Sequence, residues 1–150
     1  MRLLPVMLLM LPALPNALGA AARARTATGQ DLVVIVNPAA HVAHLTRSQV
    51  TDIFMGRLRQ LPTGAPALPI DLSGGAARAQ FYGYLVHWSL AQVSSYWARL
   101  VFSEQASPPF PVQSAHAAVQ LVGDNPNAIA YVPRSAISPR VRIVLDLDPH

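Results

Sequence analysis

From Leu32 to Val36 the chain runs five apolar residues without a break, four of them β-branched, and Asn37-Pro38 stops the run. Such a run marks a strand covered on both faces. Helical spacing follows, with Leu45, Val50, Ile53 and Phe54 set around Thr46 and Gln49, a Thr-x-x-Gln capping box, and Gly56 to end the segment. A loop with Pro62, Gly64, Pro66 and Pro69 leads to a short strand predicted from Ala67 to Asp71. Ser73-Gly74-Gly75 precedes a helix with Phe81, Tyr84 and Leu85 on one face. Ser89 and Gln92 form a second capping box, opening a helix with Val93, Trp97, Leu100 and Val101 inward. Pro108, Pro109 and Pro111 read as a stiff connection, and Ser114 caps a helix to Val122. Asn125-Pro126-Asn127 turns into a strand from Ala128 to Val132, and the alternation of Val141, Ile143 and Leu145 gives a last one. The order β-α-β-α-α-α-β-β predicts an α/β domain with a mixed or parallel sheet and helices on its faces.

Ahead of this pattern, Arg2 is followed by an uncharged run from Leu3 to Ala22 rich in Leu, Met, Ala and Pro. That is the composition of an export signal. A spanning anchor is the rival reading, but Pro5, Pro12 and Pro15 interrupt a helix there, and Ala17 to Ala22 offers small residues for a peptidase. The chain is therefore divided into a signal over 1–24, a linker over 25–30 and an α/β domain over 31–150. Cleavage between Ala21 and Arg25 leaves a periplasmic protein with no stable membrane insertion.

Composition narrows the chemistry. The 150 residues suit one domain, and the absence of Cys removes disulfides, thiolate metal sites and cysteine nucleophiles. All 11 basic residues are Arg against 7 acids, for a net charge of +4. The isoelectric point near 10.3 thus reflects scarce acids more than a basic surface, and nucleic acid is not an expected partner. Arg57 and Arg59 read as a solvated rim.

Open α/β sheets bind ligands beyond the carboxyl ends of their strands, which points to the loops after Val36, Asp71 and Val132. Only Asp71-Leu72-Ser73-Gly74-Gly75 carries a chemical signal: a strand end meets a helix start, bringing free N–H groups, a hydroxyl and the positive end of the helix dipole together. Two readings stand. Ser73 caps the helix and nothing binds, or the turn takes a small oxyanion with Arg78 as a charge partner. His41 and His44 sit three apart but in a loop, so a metal site is not expected, and His87 is a helix-end residue. No Ser, His and Asp fall into a triad, and the acids are scattered. A non-enzyme without cofactor or metal is the expectation. Tyr96, Trp97 and Phe102 recur at helical spacing, a stripe for the core or for a partner surface.

The stretch from Val33 to Gly56, with Leu45-Thr46, Gln49-Val50, Asp52-Ile53-Phe54 and Gly56, resembles the second lobe of phosphate ABC transporter substrate-binding proteins, and the short, exported, single-lobe members above all. The likeness continues through Pro69-Ile70-Asp71-Leu72-Ser73-Gly74, Arg78, Phe81-Tyr82, Tyr96 to Phe102, Pro108-Pro109 and Ala128 to Val132. It implies a single lobe of a type II periplasmic-binding fold. It also implies a ligand site at Asp71, Ser73, Gly74, Gly75 and Arg78 for phosphate or a similar oxyanion, and a membrane permease or other envelope protein as partner. Departures are Pro69 where the family has Arg, Gly75 where it has Thr, Leu61 for a common Trp, Glu104 for a usual Gly, and Asn127 and Ala130 for glycines. No residues here supply the facing lobe, so binding is expected to be weak. The Asp71 carboxylate repels a dianion unless it takes a proton from the ligand, which would favour monoprotonated phosphate over sulfate, or is turned away. The alternative reading is a non-catalytic envelope interaction module that keeps the fold and has lost the ligand.

Overall fold

The computed structural model describes residues 29–147, so the signal and most of the linker lie outside the described residues. The apolar run forms β1, Leu32–Val36, all five residues buried. Helix α1, Arg47–Phe54, follows with its capping box complete: Gln49 N–H donates to Thr46 Oγ1 at 3.1 Å and Thr46 N–H to Gln49 Oε1 at 2.9 Å. After β2, Leu68–Leu72, come α2, Ala76–Val86, and α3, Leu90–Phe102, the latter opened by the reciprocal Ser89–Gln92 bonds. Strand β3, Phe110–Val112, helix α4, Ala115–Asp124, capped by Ser114, and strands β4, Ala128–Pro133, and β5, Arg142–Asp146, complete the chain.

The five strands make one mixed sheet in the order β3-β2-β4-β1-β5. β2 runs parallel to both β3 and β4, while β1 is antiparallel to β4 and β5. β1 and β4 are central, which is why their sequences are apolar at every position rather than alternating. Asn37, at the end of β1, is buried and ties the sheet to α4 by donating from Nδ2 to the Val122 and Gly123 carbonyls at 2.9 and 3.0 Å. Between α1, α2 and β4 an aromatic cluster fills the core. Phe81 stacks on Tyr131 with centroids 3.7 Å apart, and Phe54 meets Phe81 edge-on at 4.8 Å.

Several expectations need correction. The proline-rich connection contains a strand, β3, because an edge position tolerates residues without an N–H. Ser73 donates both its N–H and its hydroxyl to the Val112 carbonyl, so Val112 turns its backbone toward β2 and Pro111 faces the free edge. In α2 the buried tyrosine is Tyr82, while Tyr84 is half-buried under the Arg47 guanidinium, 4.7 Å from its ring. In α3, Val93 and Trp97 point inward but Val101 is exposed. Helix α4 continues two residues past Val122. In β5 the buried residue is Val144, the extra residue of a β-bulge opposite Val34 and Ile35, which reverses the face that simple alternation would bury.

Candidate functional site

Three residues, Ser73 to Gly75, connect the carboxyl end of β2 to α2. Gly75 is the residue before the helix, with φ +91° and ψ 179°, a conformation that a side chain resists. Among the described residues no side chain caps α2, and the N–H groups of Gly74, Gly75, Ala76 and Ala77 find no backbone acceptor. Ser73 to Ala76 are exposed, and a Cβ built at Gly74 or Gly75 would meet nothing within 4 Å. The result is an open turn presenting several donors and the positive end of an 11-residue helix to solvent.

Beneath the turn Asp71 points the other way. Its carboxylate is buried and both oxygens accept from protein donors: Tyr131 Oη donates to Oδ1 at 2.5 Å, and Tyr82 Oη and Arg78 Nε donate to Oδ2 at 3.0 and 3.1 Å. Tyr131 Oη also accepts from the Leu72 N–H at 3.3 Å. Arg78 lies over the Tyr82 ring, 5.3 Å from its centroid. Burial, then the neighbouring Asp71 charge and its hydrogen bond, push both Tyr82 and Tyr131 well above the ordinary phenol range. For Arg78, burial favours loss of the proton, but the Asp71 charge and hydrogen bond outweigh it and the net shift is upward. Both tyrosines therefore stay neutral donors, and Asp71 with Arg78 forms a compensated buried pair.

The structure gathers Asp71, Ser73, Gly74, Gly75 and Arg78 around one strand end, but in two layers. Gly74 and Gly75 are on the open turn. Asp71 faces the core with both oxygens engaged, and Arg78 gives Nε to it, leaving its Nη groups as the remaining donors. Ser73 does not cap α2; its hydroxyl donates to the Val112 carbonyl at 2.9 Å and fastens the turn to β3. Sequence reading missed Tyr82 and Tyr131. The signal available was Tyr131 itself: a tyrosine inside a fully apolar strand needs a buried partner for its hydroxyl.

Elsewhere, His41 and His44 are exposed, and no group of three or more His, Cys, Asp or Glu among the described residues could hold a metal ion. His87 closes α2 in a left-handed conformation, its Nε2 3.1 Å from Arg47 Nη2. Arg57 pairs with Asp52 at 2.8 Å, and Arg59 donates to the Gln105 carbonyl at 2.8 Å. No described helix is long and apolar enough to cross a membrane.

The sequence matches no family model and none of the curated proteins. Solved structures do match. An ABC-type phosphate transport receptor from Vibrio cholerae superposes with a TM-score of 0.61 at 18% identity, over 77% of this chain and 45% of that one. A protein from Clostridium perfringens described as a phosphate ABC transporter substrate-binding protein, solved with bound phosphate, gives 0.60 at 20% identity over 77% and 44%. A possible phosphate binding protein from Planctomyces limnophilus gives 0.56 at 14% identity over 77% and 40%. The chain thus shares its fold with phosphate ABC transporter substrate-binding proteins and spans less than half the length of these structures.

Proposed function

We propose that this chain is an exported solute-binding protein of the phosphate ABC transporter type, a single lobe in which the turn from Ser73 to Ala77 holds phosphate or a similar small oxyanion. It acts without catalysis and passes the anion to a membrane permease. The observation that carries this reading is the uncapped start of α2, open to solvent at the carboxyl end of a strand flanked by two parallel neighbours. The shared fold of phosphate-binding structures supports it, and the signal composition of residues 1–24 supports export.

The ligand is held by the N–H groups of Gly74, Gly75, Ala76 and Ala77 and by the Arg78 Nη groups. The Ser73 hydroxyl joins only by giving up its bond to Val112. Because both Asp71 oxygens already accept protein hydrogen bonds, the carboxylate is not offered to a ligand proton, and phosphate and sulfate bind alike. A shell built from this turn alone gives weak affinity, roughly 0.1 to 10 mM, or about 3 to 5 kcal/mol. Calorimetric titration with phosphate and with sulfate at constant ionic strength tests the reading. Saturable heats from both anions, lost in Ala76→Pro, are expected. That substitution removes one N–H at a helix position where Pro is tolerated. No saturable heat from either anion overturns it.

A further inference from the structure

Two opposite charges share an apolar groove without pairing. The exposed apolar side chains Leu58, Val101 and Phe110 line a groove of about 850 Å³ walled by the buried Trp97. The groove reaches Leu68 and Phe110, at the amino ends of β2 and β3, and so lies at the opposite end of those strands from the anion turn. Arg59 and Glu104 line it too. Among the described acids, Asp31, Asp52, Asp71, Asp124 and Asp146 each pair with an Arg, and Glu104 is the one that does not. Its backbone is held in the left-handed region, φ +55°, which a side chain disfavours and which concentrates at sites where that side chain has a task. Arg59 Nη2 donates to the carbonyl of the next residue, Gln105, at 2.8 Å, which sets the guanidinium beside the Glu104 loop with its other N–H groups uncommitted.

We propose that this groove binds a free α-amino acid with an apolar side chain. The Arg59 guanidinium takes the carboxylate, whose two oxygens match its planar donors, and the Glu104 carboxylate takes the ammonium. The apolar side chain lies against Leu58, Val101, Phe110 and Trp97. Charge selects this class of ligand. An apolar carboxylate or an apolar amine satisfies one of the two groups and is opposed by the other, whereas a zwitterion satisfies both. Size agrees, since sites for small molecules span roughly 300 to 1,000 Å³. A peptide strand cannot enter by extending the sheet, because Pro111 occupies the free edge and has no N–H to give. The site is separate from the anion turn and does not depend on it.

Calorimetric titration of the purified chain with L-leucine, near neutral pH and at constant ionic strength, tests the site. Saturable heat with a midpoint below about 10 mM is expected. Isocaproate, which lacks the ammonium, and isopentylamine, which lacks the carboxylate, should each bind roughly tenfold more weakly or worse. Arg59→Gln and Glu104→Gln should each weaken leucine binding by about the same factor, with the circular dichroism spectrum unchanged. No saturable heat from leucine up to about 50 mM, either singly charged analogue binding as tightly as leucine, or leucine binding indifferent to either substitution overturns the proposal.

Discussion

Replacing Tyr131 by Phe removes one oxygen from the centre of the fold and leaves the ring stacked on Phe81. Two bonds go with it: the donation to Asp71 Oδ1 and the acceptance from the Leu72 N–H. A hydrogen bond to a charged group contributes about 1.5 to 3 kcal/mol, and a buried N–H left without an acceptor costs about 1 to 3 kcal/mol. Because the Leu72 bond is long at 3.3 Å, its share falls at the low end, and the total expected loss is about 2.5 to 4 kcal/mol. Tyr82→Phe lacks the Leu72 component and should cost about 1.5 to 3 kcal/mol. Tyr84→Phe, whose hydroxyl is outside the network, serves as the control and should change stability by less than about 0.5 kcal/mol. Urea unfolding measures all three as shifts in midpoint at constant slope. A Tyr131→Phe loss no larger than that of Tyr84→Phe would refute the reasoning, because Asp71 would then be solvated rather than held by the two tyrosines.

The same network fixes a pH dependence. Tyr82 and Tyr131 have folded pKa values above the unfolded phenol value near 10, so the stability they protect is complete below about pH 10 and is lost as pH rises further, at up to about 2.7 kcal/mol per unit for the pair. Ultraviolet titration should show Tyr82 and Tyr131 ionising only with unfolding; their ionisation in the folded protein would contradict it. Gly75→Ala should cost about 1 to 3 kcal/mol, because φ +91° with ψ 179° is a region that only glycine adopts readily, while Gly74→Ala, in open space, should be near neutral by thermal melting. Thr46→Ala and Ser89→Ala should each lose about 1 kcal/mol in denaturant unfolding by opening a capping box.

What could be read from the sequence was what is local. The run of Leu32 to Val36 names a central strand because only full burial suits it, and Thr46 with Gln49 or Ser89 with Gln92 name helix starts because the partners lie three residues apart. The unread parts depend on distant neighbours. β3 hides among prolines that only an edge tolerates, and Val144 faces the core because a bulge against β1 reverses the alternation. Tyr82 rather than Tyr84 turns inward because Asp71 on β2 draws its hydroxyl, while Arg47 from α1 covers Tyr84. At the candidate site the sequence located the turn and its glycines. It could not show that Ser73 fastens to β3, or that Asp71 is withdrawn by a tyrosine 60 residues away. Glu104, where the resembled family has glycine, takes the left-handed φ that explains the family's choice.

The oxyanion reading is tested most directly at the amides themselves. In a phosphate titration at constant ionic strength followed by backbone NMR, the account predicts saturable shifts at Gly74, Gly75, Ala76 and Ala77 with a midpoint of roughly 0.1 to 10 mM, abolished in Ala76→Pro. Amides that stay still from Ser73 to Ala77 into tens of millimolar phosphate, while the fold is intact, would contradict it.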